Sequence, residues 1–190
     1  MEEKYTNIHQ ELIEACRRGE RNAQFKIYKL YYKAMYNSCI RIVNDTAEAE
    51  DIMQESFLAA FARLDSYTGE GSFGKWLKRI VINNSLDALK KNNETLSIEE
   101  VQLDFAETGG EDREEEIQYR IKEIKTAIND LPDDYRVVLS LFLLEGYDHE
   151  EISDILKISN NLSRTRYSRA RQKLLTILKE NKIKNAFVYN

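Results

Sequence analysis

Apolar residues recur at intervals of three and four positions along most of the chain, and this spacing predicts amphipathic α-helices. In the N-terminal half the expected helices cover residues 7–19, 22–43, 46–64 and 72–89. Gly19 is placed to end the first helix, and Thr46 and Ser72 are placed to cap the third and the fourth. The faces expected to be buried include Phe25, Leu30, Met35, Ile52, Phe57, Phe61, Phe73, Trp76 and Leu77.

The helical pattern is interrupted between residues 93 and 115, where apolar residues are scattered and an acidic run covers residues 111–116. We interpret this segment as a flexible acidic linker. Helical spacing is expected to resume near Glu114 and to continue up to Asn129. A further helix is expected to begin with Pro132 in its first turn and to be broken by Gly146. Its expected buried residues are Tyr135, Val138, Leu139, Phe142 and Leu143.

Two short helices joined by a turn at residues 157–160 follow, and this arrangement predicts a helix-turn-helix. The second helix is expected to begin near Asn161. Its core-facing stripe is Ser163, Tyr167, Ala170 and Leu174. The polar and basic groups placed to contact DNA, by base edge or by phosphate, are Asn160, Asn161, Arg164, Thr165, Arg166, Ser168 and Arg169.

Composition supports an all-α fold of two small helical domains, because the chain has one proline, seven glycines and no strand-like alternation. The predicted organisation is a first domain over residues 1–92, a linker over 93–115, a second domain over 116–180 and a tail over 181–190.

The net charge of −5 is distributed unevenly. Residues 92–131 carry −8, whereas residues 157–184 hold nine lysines or arginines against Glu180 alone. The field around the last helix is therefore positive, and nucleic acid is the first partner to consider.

Little in the chain predicts catalytic or metal chemistry. Cys16 and Cys39 lie on apolar faces without metal-ligand spacing, and we expect them to be buried and reduced. His9 is far from His149, and His149 is expected to be a solvated residue at a helix start. We expect no enzyme activity, no cofactor and no metal. The N-terminus has no signal-peptide pattern and no window suits a membrane span, so a cytoplasmic location without membrane insertion is expected.

Two blocks of motifs resemble those of a known family. Region 2 of a bacterial sigma factor is similar to residues 49–57 (AEDIMQESF) and 73–80 (FGKWLKRI). Region 4 is similar to residues 131–136, 145–147, 150–152 and 169–171. The order and spacing, with no domain between the blocks, resemble the extracytoplasmic-function (ECF) group, and the resemblance extends from about Glu11 to Leu178.

The resemblance implies contacts with core RNA polymerase, through the β′ clamp helices and the β flap. The positions that match the clamp-binding helix are Asp51, Gln54, Glu55, Phe57, Leu58 and Phe61. Three- and four-residue spacing places four of them on one acidic and amide side, although such a side is by itself also typical of a solvated helix face.

The resemblance also implies that residues 66–73 and the following helix capture the melted strand of the minus-10 element. The matching residues are Tyr67, Lys75, Trp76, Lys78, Arg79, Asn83 and Asn84. Basic, aromatic and amide groups suit single-stranded DNA, although Phe73 and Trp76 also lie on the apolar stripe and are expected to be mainly core. The acidic linker matches a segment that occupies the RNA exit path, and a solvated tether explains it equally well.

The resemblance therefore predicts a sigma factor that directs promoter-specific initiation, with an anti-sigma factor as a candidate partner. One departure limits the transfer of base preference: Asn161, Leu162 and Ser163 stand where the family often has Gly-Thr-Val. The alternative is a dimeric helix-turn-helix regulator that is not a polymerase subunit. The N-terminal half argues against it, since it lacks strand patterns of a ligand domain. A nucleic-acid enzyme is the least supported class.

Overall fold

The computed structural model describes the backbone of residues 9–69, 71–95 and 113–188 and the side chains of residues 9–69, 71–92 and 119–181. The described residues form α-helices and one short 3₁₀ helix and contain no strand, which confirms the all-α prediction. The helices are α1 (Gln10–Arg17), α2 (Arg21–Val43), α3 (Thr46–Ala62), the 3₁₀ helix (Leu64–Ser66), α4 (Phe73–Thr95), α5 (Arg113–Asn129), α6 (Asp133–Leu143), α7 (His149–Leu156) and α8 (Asn160–Val188).

The chain divides into two compact units between Thr95 and Leu96. In the first unit, α2, α3 and α4 pack against one another, and α1 packs on α2. In the second unit, α5, α6 and α7 all pack against α8. None of the helices in the described part of the chain has the length and apolar character that crossing a membrane requires.

Local chemistry explains where the helices of the first unit begin and end. The carboxylate of Asp45 accepts a hydrogen bond from the Glu48 N–H, so Asp45 is the N-cap of α3, and the prediction of Thr46 was wrong by one residue. Asn44 ends α2 in the left-handed conformation. The Ser72 hydroxyl accepts from the Lys75 N–H at 3.2 Å, as the sequence predicted for α4.

The core of the first unit is built from the faces that the spacing predicted, with two exceptions. Met35, Ile52 and Leu77 are buried, and both cysteines are buried and free. Phe25 and Leu30 were expected to be buried but are 59% and 52% exposed, because they lie outside the face of α2 that meets α3 and α4.

The second unit surrounds a smaller core. Its central cluster contains Ala127, Ile128, Leu131, Leu139, Ala170 and Leu174. Pro132 occupies the N-cap of α6 rather than its first turn. The prediction for Leu143 was wrong, since this side chain is 51% exposed at the end of α6, while Val137 and Leu141 fill the core instead.

The helices extend beyond the bounds predicted for the linker and for the tail. Residues 93–95 complete α4, so this end of the expected linker is helical. The next helix, α5, begins at Arg113, beside Glu114, where helix was expected to resume. The remainder of that expected linker, residues 96–112, lies outside the described residues. The expected tail begins inside α8, which continues to Val188.

Candidate functional site

The helix-turn-helix is built around two well-defined caps. Asp148 and Glu151 form a capping box at the start of α7, in which the Asp148 carboxylate accepts from the Glu150 and Glu151 N–H groups. Lys157 ends α7 with φ of 55°, and α8 begins at Asn160. The turn thus fixes where the second helix begins, and the predicted stripe of Ser163, Ala170 and Leu174 is buried with Tyr167 half-buried.

The opposite side of α8 presents the side chains that the sequence selected for DNA. Asn161, Arg164, Thr165, Ser168 and Arg169 are all exposed there. Arg164 does not extend freely, because its Nε donates to Asn160 Oδ1 at 2.8 Å, and the Thr165 hydroxyl donates to the Asn161 carbonyl at 2.8 Å. These local bonds join Arg164 and Thr165 to the first turn of α8.

Arg166 is placed differently from the other basic residues of α8. Its guanidinium lies 2.8 Å from the Asp134 carboxylate of α6, and its side chain is 26% exposed. Part of its charge is therefore neutralised within the protein. Sequence spacing placed Arg166 at the flank of the DNA face but gave no indication of this partner.

His149 was expected to be solvated, and that prediction was wrong. The ring is half-buried, it lies with its centroid 4.7 Å from that of Phe142, and it meets Tyr167 edge to face at 5.4 Å. Its Nδ1 is 2.9 Å from Ser163 Oγ. Burial lowers the pKa of His149 below 6.5, Arg164 lowers it further, and Asp148 opposes them. The sequence placed Ser163 on the buried stripe of α8, and a buried hydroxyl needs a hydrogen-bond partner. This was the one feature of the sequence that could have indicated the contact with His149.

An exposed ridge on α3 carries most of the predicted polymerase-binding residues. Asp51, Gln54, Glu55 and Leu58 are exposed, and Leu58 reaches 70%. We call these four residues the α3 ridge. Phe57 does not belong to it: the ring is 2% exposed and packs edge to face on Tyr28, so its assignment to the interface is corrected to the core. Phe61 is half-buried beside Phe57, so its side chain lies between the core and the exposed α3 ridge.

The position of Tyr67, just after the 3₁₀ helix, differs from the one that the sequence predicted. The sequence placed it among the DNA-contacting groups, but its side chain is 2% exposed. Its hydroxyl donates to the Gly71 carbonyl at 2.9 Å, and its ring lies against Phe73 and Trp76. Tyr67 therefore shapes the loop from inside and offers no face to a base.

The first part of α4 carries the other residues that were predicted to contact minus-10 DNA. Lys75 and Asn83 are exposed, and Trp76, Lys78 and Arg79 are half-buried. Asn84 is committed to the fold, because its Nδ2 donates to the hydroxyl of the fully buried Ser56 at 2.9 Å. The structure thus brings a basic and amide surface together on α4, with Asn84 joining α4 to α3 beneath it.

Two family models match this chain, one in each of its two units. The family model described as Sigma-70 region 2 matches residues 27–95, and that described as Sigma-70, region 4 matches residues 121–174. The chain belongs to the sigma-70 family. Because both models match in the expected order, the dimeric regulator is not favoured, and members of this family bind core RNA polymerase and direct it to promoters.

Curated relatives place the chain in the ECF group of this sigma family. It is 29% identical to the ECF RNA polymerase sigma factor SigW of Bacillus subtilis, over 88% of this chain and 95% of SigW. It is 28% identical to the ECF RNA polymerase sigma-E factor of Escherichia coli strain K12, over 90% and 94%. It is 27% identical to the RNA polymerase sigma-H factor of Pseudomonas aeruginosa, over 86% and 90%. These relatives are all named sigma factors.

Two solved structures share the fold. The sigma factor RpoE, in complex with the anti-sigma factor NepR from Bartonella quintana, matches with a TM-score of 0.59 and 25% identity over 81% of this chain and 95% of that chain. CnrH, in complex with the cytosolic domain of CnrY, matches with a TM-score of 0.56 and 20% identity, over 90% and 97%, and supports the fold alone.

Proposed function

We propose that this ECF sigma factor divides its work among three surfaces. The α3 ridge binds the β′ clamp helices of core RNA polymerase, and the segment predicted at residues 66–73 holds the melted minus-10 strand together with the start of α4. The exposed side of α8 reads duplex minus-35 DNA. The observation that carries the proposal is the presence of the exposed α3 ridge and the exposed basic face of α8 in one chain.

The composition of the α3 ridge suits a basic partner helix. Asp51 and Glu55 supply negative charge, Gln54 supplies an amide, and Leu58 is an apolar side chain left in solvent. A charged rim around an exposed apolar group is a common arrangement in protein interfaces, because burial of the apolar group drives association and the charges orient it.

The exposed face of α8 suits the major groove. A helix of this width fits the groove, and Arg164 and Arg169 can donate to phosphates or to guanine, while Asn161, Thr165 and Ser168 add shorter polar contacts. Salt-dependent attraction to phosphates supplies most of the affinity, and base contacts supply selectivity.

The minus-10 assignment depends on chemistry at the start of α4. Lys75, Lys78 and Arg79 provide positive charge for a single strand, and Asn83 adds a group that can hydrogen bond to bases. Trp76, half-buried against Tyr67 and Phe73, is proposed to support this surface with its exposed edge. Tyr67 and Asn84 support it from below.

Partners and location follow from this proposal. RpoE and CnrH were solved with the anti-sigma factor NepR and with the cytosolic domain of CnrY. We propose that an anti-sigma protein covers the α3 ridge and blocks polymerase binding. The protein would act in the cytoplasm, where polymerase and promoter DNA are found.

Run-off transcription with cognate core polymerase tests the proposed function. The wild type is compared with Asp51→Ala/Gln54→Ala and with Arg164→Ala/Arg169→Ala on a pool of genomic fragments. Asp87→Ala controls for loss of an exposed carboxylate, and Lys179→Ala, about four turns beyond Arg164, controls for loss of a basic group on α8.

Three results are distinguishable. The ridge variant is expected to lose core binding, and the α8 variant is expected to bind core normally but to lose promoter-specific transcripts. A wild type that binds no core enzyme and starts no specific transcript would overturn the proposal. A ridge variant with full core affinity would overturn the interface assignment alone.

A further inference from the structure

The side chain of Arg164 is oriented by an amide one helical turn earlier in α8. Its Nε donates to Asn160 Oδ1 at 2.8 Å. Asn160 lies in the first turn of α8, and the Ser159 hydroxyl caps that turn by accepting from the Leu162 N–H at 3.2 Å. The Asn160 side chain is also half-buried. A capped helix end therefore holds the acceptor to which Arg164 is bonded.

The three arginines that were predicted to contact minus-35 DNA are held in different ways. Arg166 pairs with the Asp134 carboxylate, which neutralises part of its charge. Arg169 is exposed, and no side chain of the described residues forms a hydrogen bond or an ion pair with it. Arg164 combines an orienting bond with an undiminished positive charge, because its acceptor on Asn160 is a neutral amide.

The bond to Asn160 determines which donors of Arg164 are left for DNA. The N–H on Nε is used within the protein, so Nη1 and Nη2 can donate to another molecule. These two nitrogens form a planar fork that matches the O6 and N7 acceptors on the major-groove edge of guanine. The N-terminal residues of a recognition helix are those that contact base edges, and Arg164 lies in the second turn of α8.

Orientation before binding favours a base contact over a phosphate contact. A bidentate bond to guanine requires the guanidinium to lie in the plane of one base pair, whereas phosphate oxygens accept from several directions and carry no sequence information. An arginine that is already oriented loses less rotamer freedom when it forms the bidentate bond. The saving for one side chain corresponds to about a two- to tenfold gain in affinity for the correct base.

We propose that Asn160 is a positioning residue that presents the guanidinium fork of Arg164 to a guanine of the minus-35 duplex. This inference rests on the proposed minus-35 function of α8 and adds to it the base that Arg164 reads and the residue that orients it. The sequence placed Asn160 among the groups that contact DNA, and in this proposal it acts through Arg164 instead. An amide suits the role because it accepts the Nε bond without cancelling the charge that attracts DNA.

Selection of minus-35 sequences by the holoenzyme tests the proposal. Wild-type and variant holoenzymes select from a duplex library that is randomised in the minus-35 element. The selected duplex is then titrated at fixed salt against copies in which each guanine is replaced by adenine or by 7-deazaguanine, which lacks the N7 acceptor. The wild type is expected to lose about ten- to a hundredfold in affinity when one particular guanine becomes adenine, and a smaller part with 7-deazaguanine. Arg164→Ala is expected to remove the preference at that position alone.

Two substitutions of Asn160 are expected to have opposite effects. Asn160→Ala removes the acceptor, so it should reduce the guanine preference about two- to tenfold and leave binding to an unrelated duplex unchanged. Asn160→Asp keeps an acceptor but adds negative charge, so it should keep most of the preference and weaken binding to every duplex, most strongly at low salt. Gln172→Ala, which removes another exposed amide from α8, is the matched control and should leave the guanine preference unchanged.

The other outcomes separate the inference from the function on which it rests. Full guanine preference in Asn160→Ala, or an equal loss of affinity for every duplex, would overturn the positioning role. If Arg164→Ala weakens binding to all duplexes alike, Arg164 contacts phosphate, and the inference fails while the minus-35 function stands. If the wild-type holoenzyme selects no minus-35 sequence, the proposed function of α8 fails, and the inference fails with it.

Discussion

His149 Nδ1 lies 2.9 Å from Ser163 Oγ, so the first residue of α7 is joined to the fully buried side of α8. Phe142 of α6 stacks on the same imidazole, so this one ring of α7 contacts both α6 and α8. Since α8 carries the proposed base contacts, the packing around His149 sets the position from which they reach the groove.

Ser163→Ala is expected to lower the free energy of unfolding by about 1 kcal/mol, because His149 Nδ1 loses its partner in a half-buried position. Denaturant unfolding measures the change. Ser168→Ala is the matched control on the exposed side of α8 and is expected to change stability by less than about 0.5 kcal/mol. Equal effects of the two substitutions would show that the His149 contact contributes no stability.

Stability is expected to fall in mild acid through His149. Burial and Arg164 lower the pKa of His149 below 6.5 in the folded chain, although Asp148 opposes the shift. The unfolded chain therefore binds a proton more readily, and this contribution to stability is present above pH 6.5 and is lost as the pH falls toward the folded pKa.

Thermal unfolding at a series of pH values, with His149→Asn and His9→Asn, checks this expectation. These are the two histidines of the chain. His149→Asn should reduce the change in unfolding temperature between roughly pH 7.5 and 5.5, a range that brackets the ordinary pKa of histidine. The reduction should be larger in His149→Asn than in His9→Asn. An unaltered profile in His149→Asn would contradict the assignment.

Adjacent residues on α3 are expected to respond to alanine in opposite ways. Phe57→Ala should destabilise the chain by about 3 to 5 kcal/mol, because the ring is buried. Leu58→Ala should leave stability nearly unchanged and weaken core polymerase binding, because Leu58 is exposed on the α3 ridge. Chemical denaturation and a core-binding titration report the two effects. Full core affinity in Leu58→Ala would remove Leu58 from the interface.

Two adjacent aspartates at the start of α6 provide a matched comparison of stability. The Asp133 carboxylate lies 2.7 Å from Nη1 of Arg136, whose side chain is almost fully buried, whereas Asp134 pairs with Arg166 at a more exposed position. Asp133→Ala leaves a buried charge without its carboxylate and should cost about 3 kcal/mol. Asp134→Ala should cost at most about 1 kcal/mol. Comparable losses in denaturant unfolding would contradict this ranking.

Asp134 is also expected to limit DNA binding. Its carboxylate neutralises part of the charge of Arg166, so Asp134→Asn should raise affinity for duplex DNA at low salt, with a smaller gain at high salt. Fluorescence anisotropy on a minus-35 duplex and on an unrelated duplex measures the change. Asp87→Asn, which removes an exposed carboxylate from the other unit, serves as the control. A decrease in affinity would indicate that Asp134 instead orients Arg166 for DNA.

Sequence spacing predicted the stripe of α8 and the exposed groups opposite it, because one periodicity governs both faces of an amphipathic helix. It was less successful in predicting which apolar side chains are covered by neighbouring helices. Tyr67 was assigned to an interface and is buried, and Phe57, whose predicted burial is confirmed, was also assigned to an interface. Phe25 and Leu143 were expected to be buried and are exposed. Periodicity gives the face of a helix, but neighbouring helices decide how much of that face is covered.

The sequence by itself determined the all-α fold, the order of the two sigma regions and the basic face of α8, since these follow from local spacing, from charge along one helix and from motifs contiguous in the chain. Only the tertiary structure decided which side chains meet across elements. The contacts of Arg17 with Tyr67, His149 with Ser163 and Arg166 with Asp134 join separate elements. Such pairs depend on how helices pack in space, which no local pattern in the chain specifies.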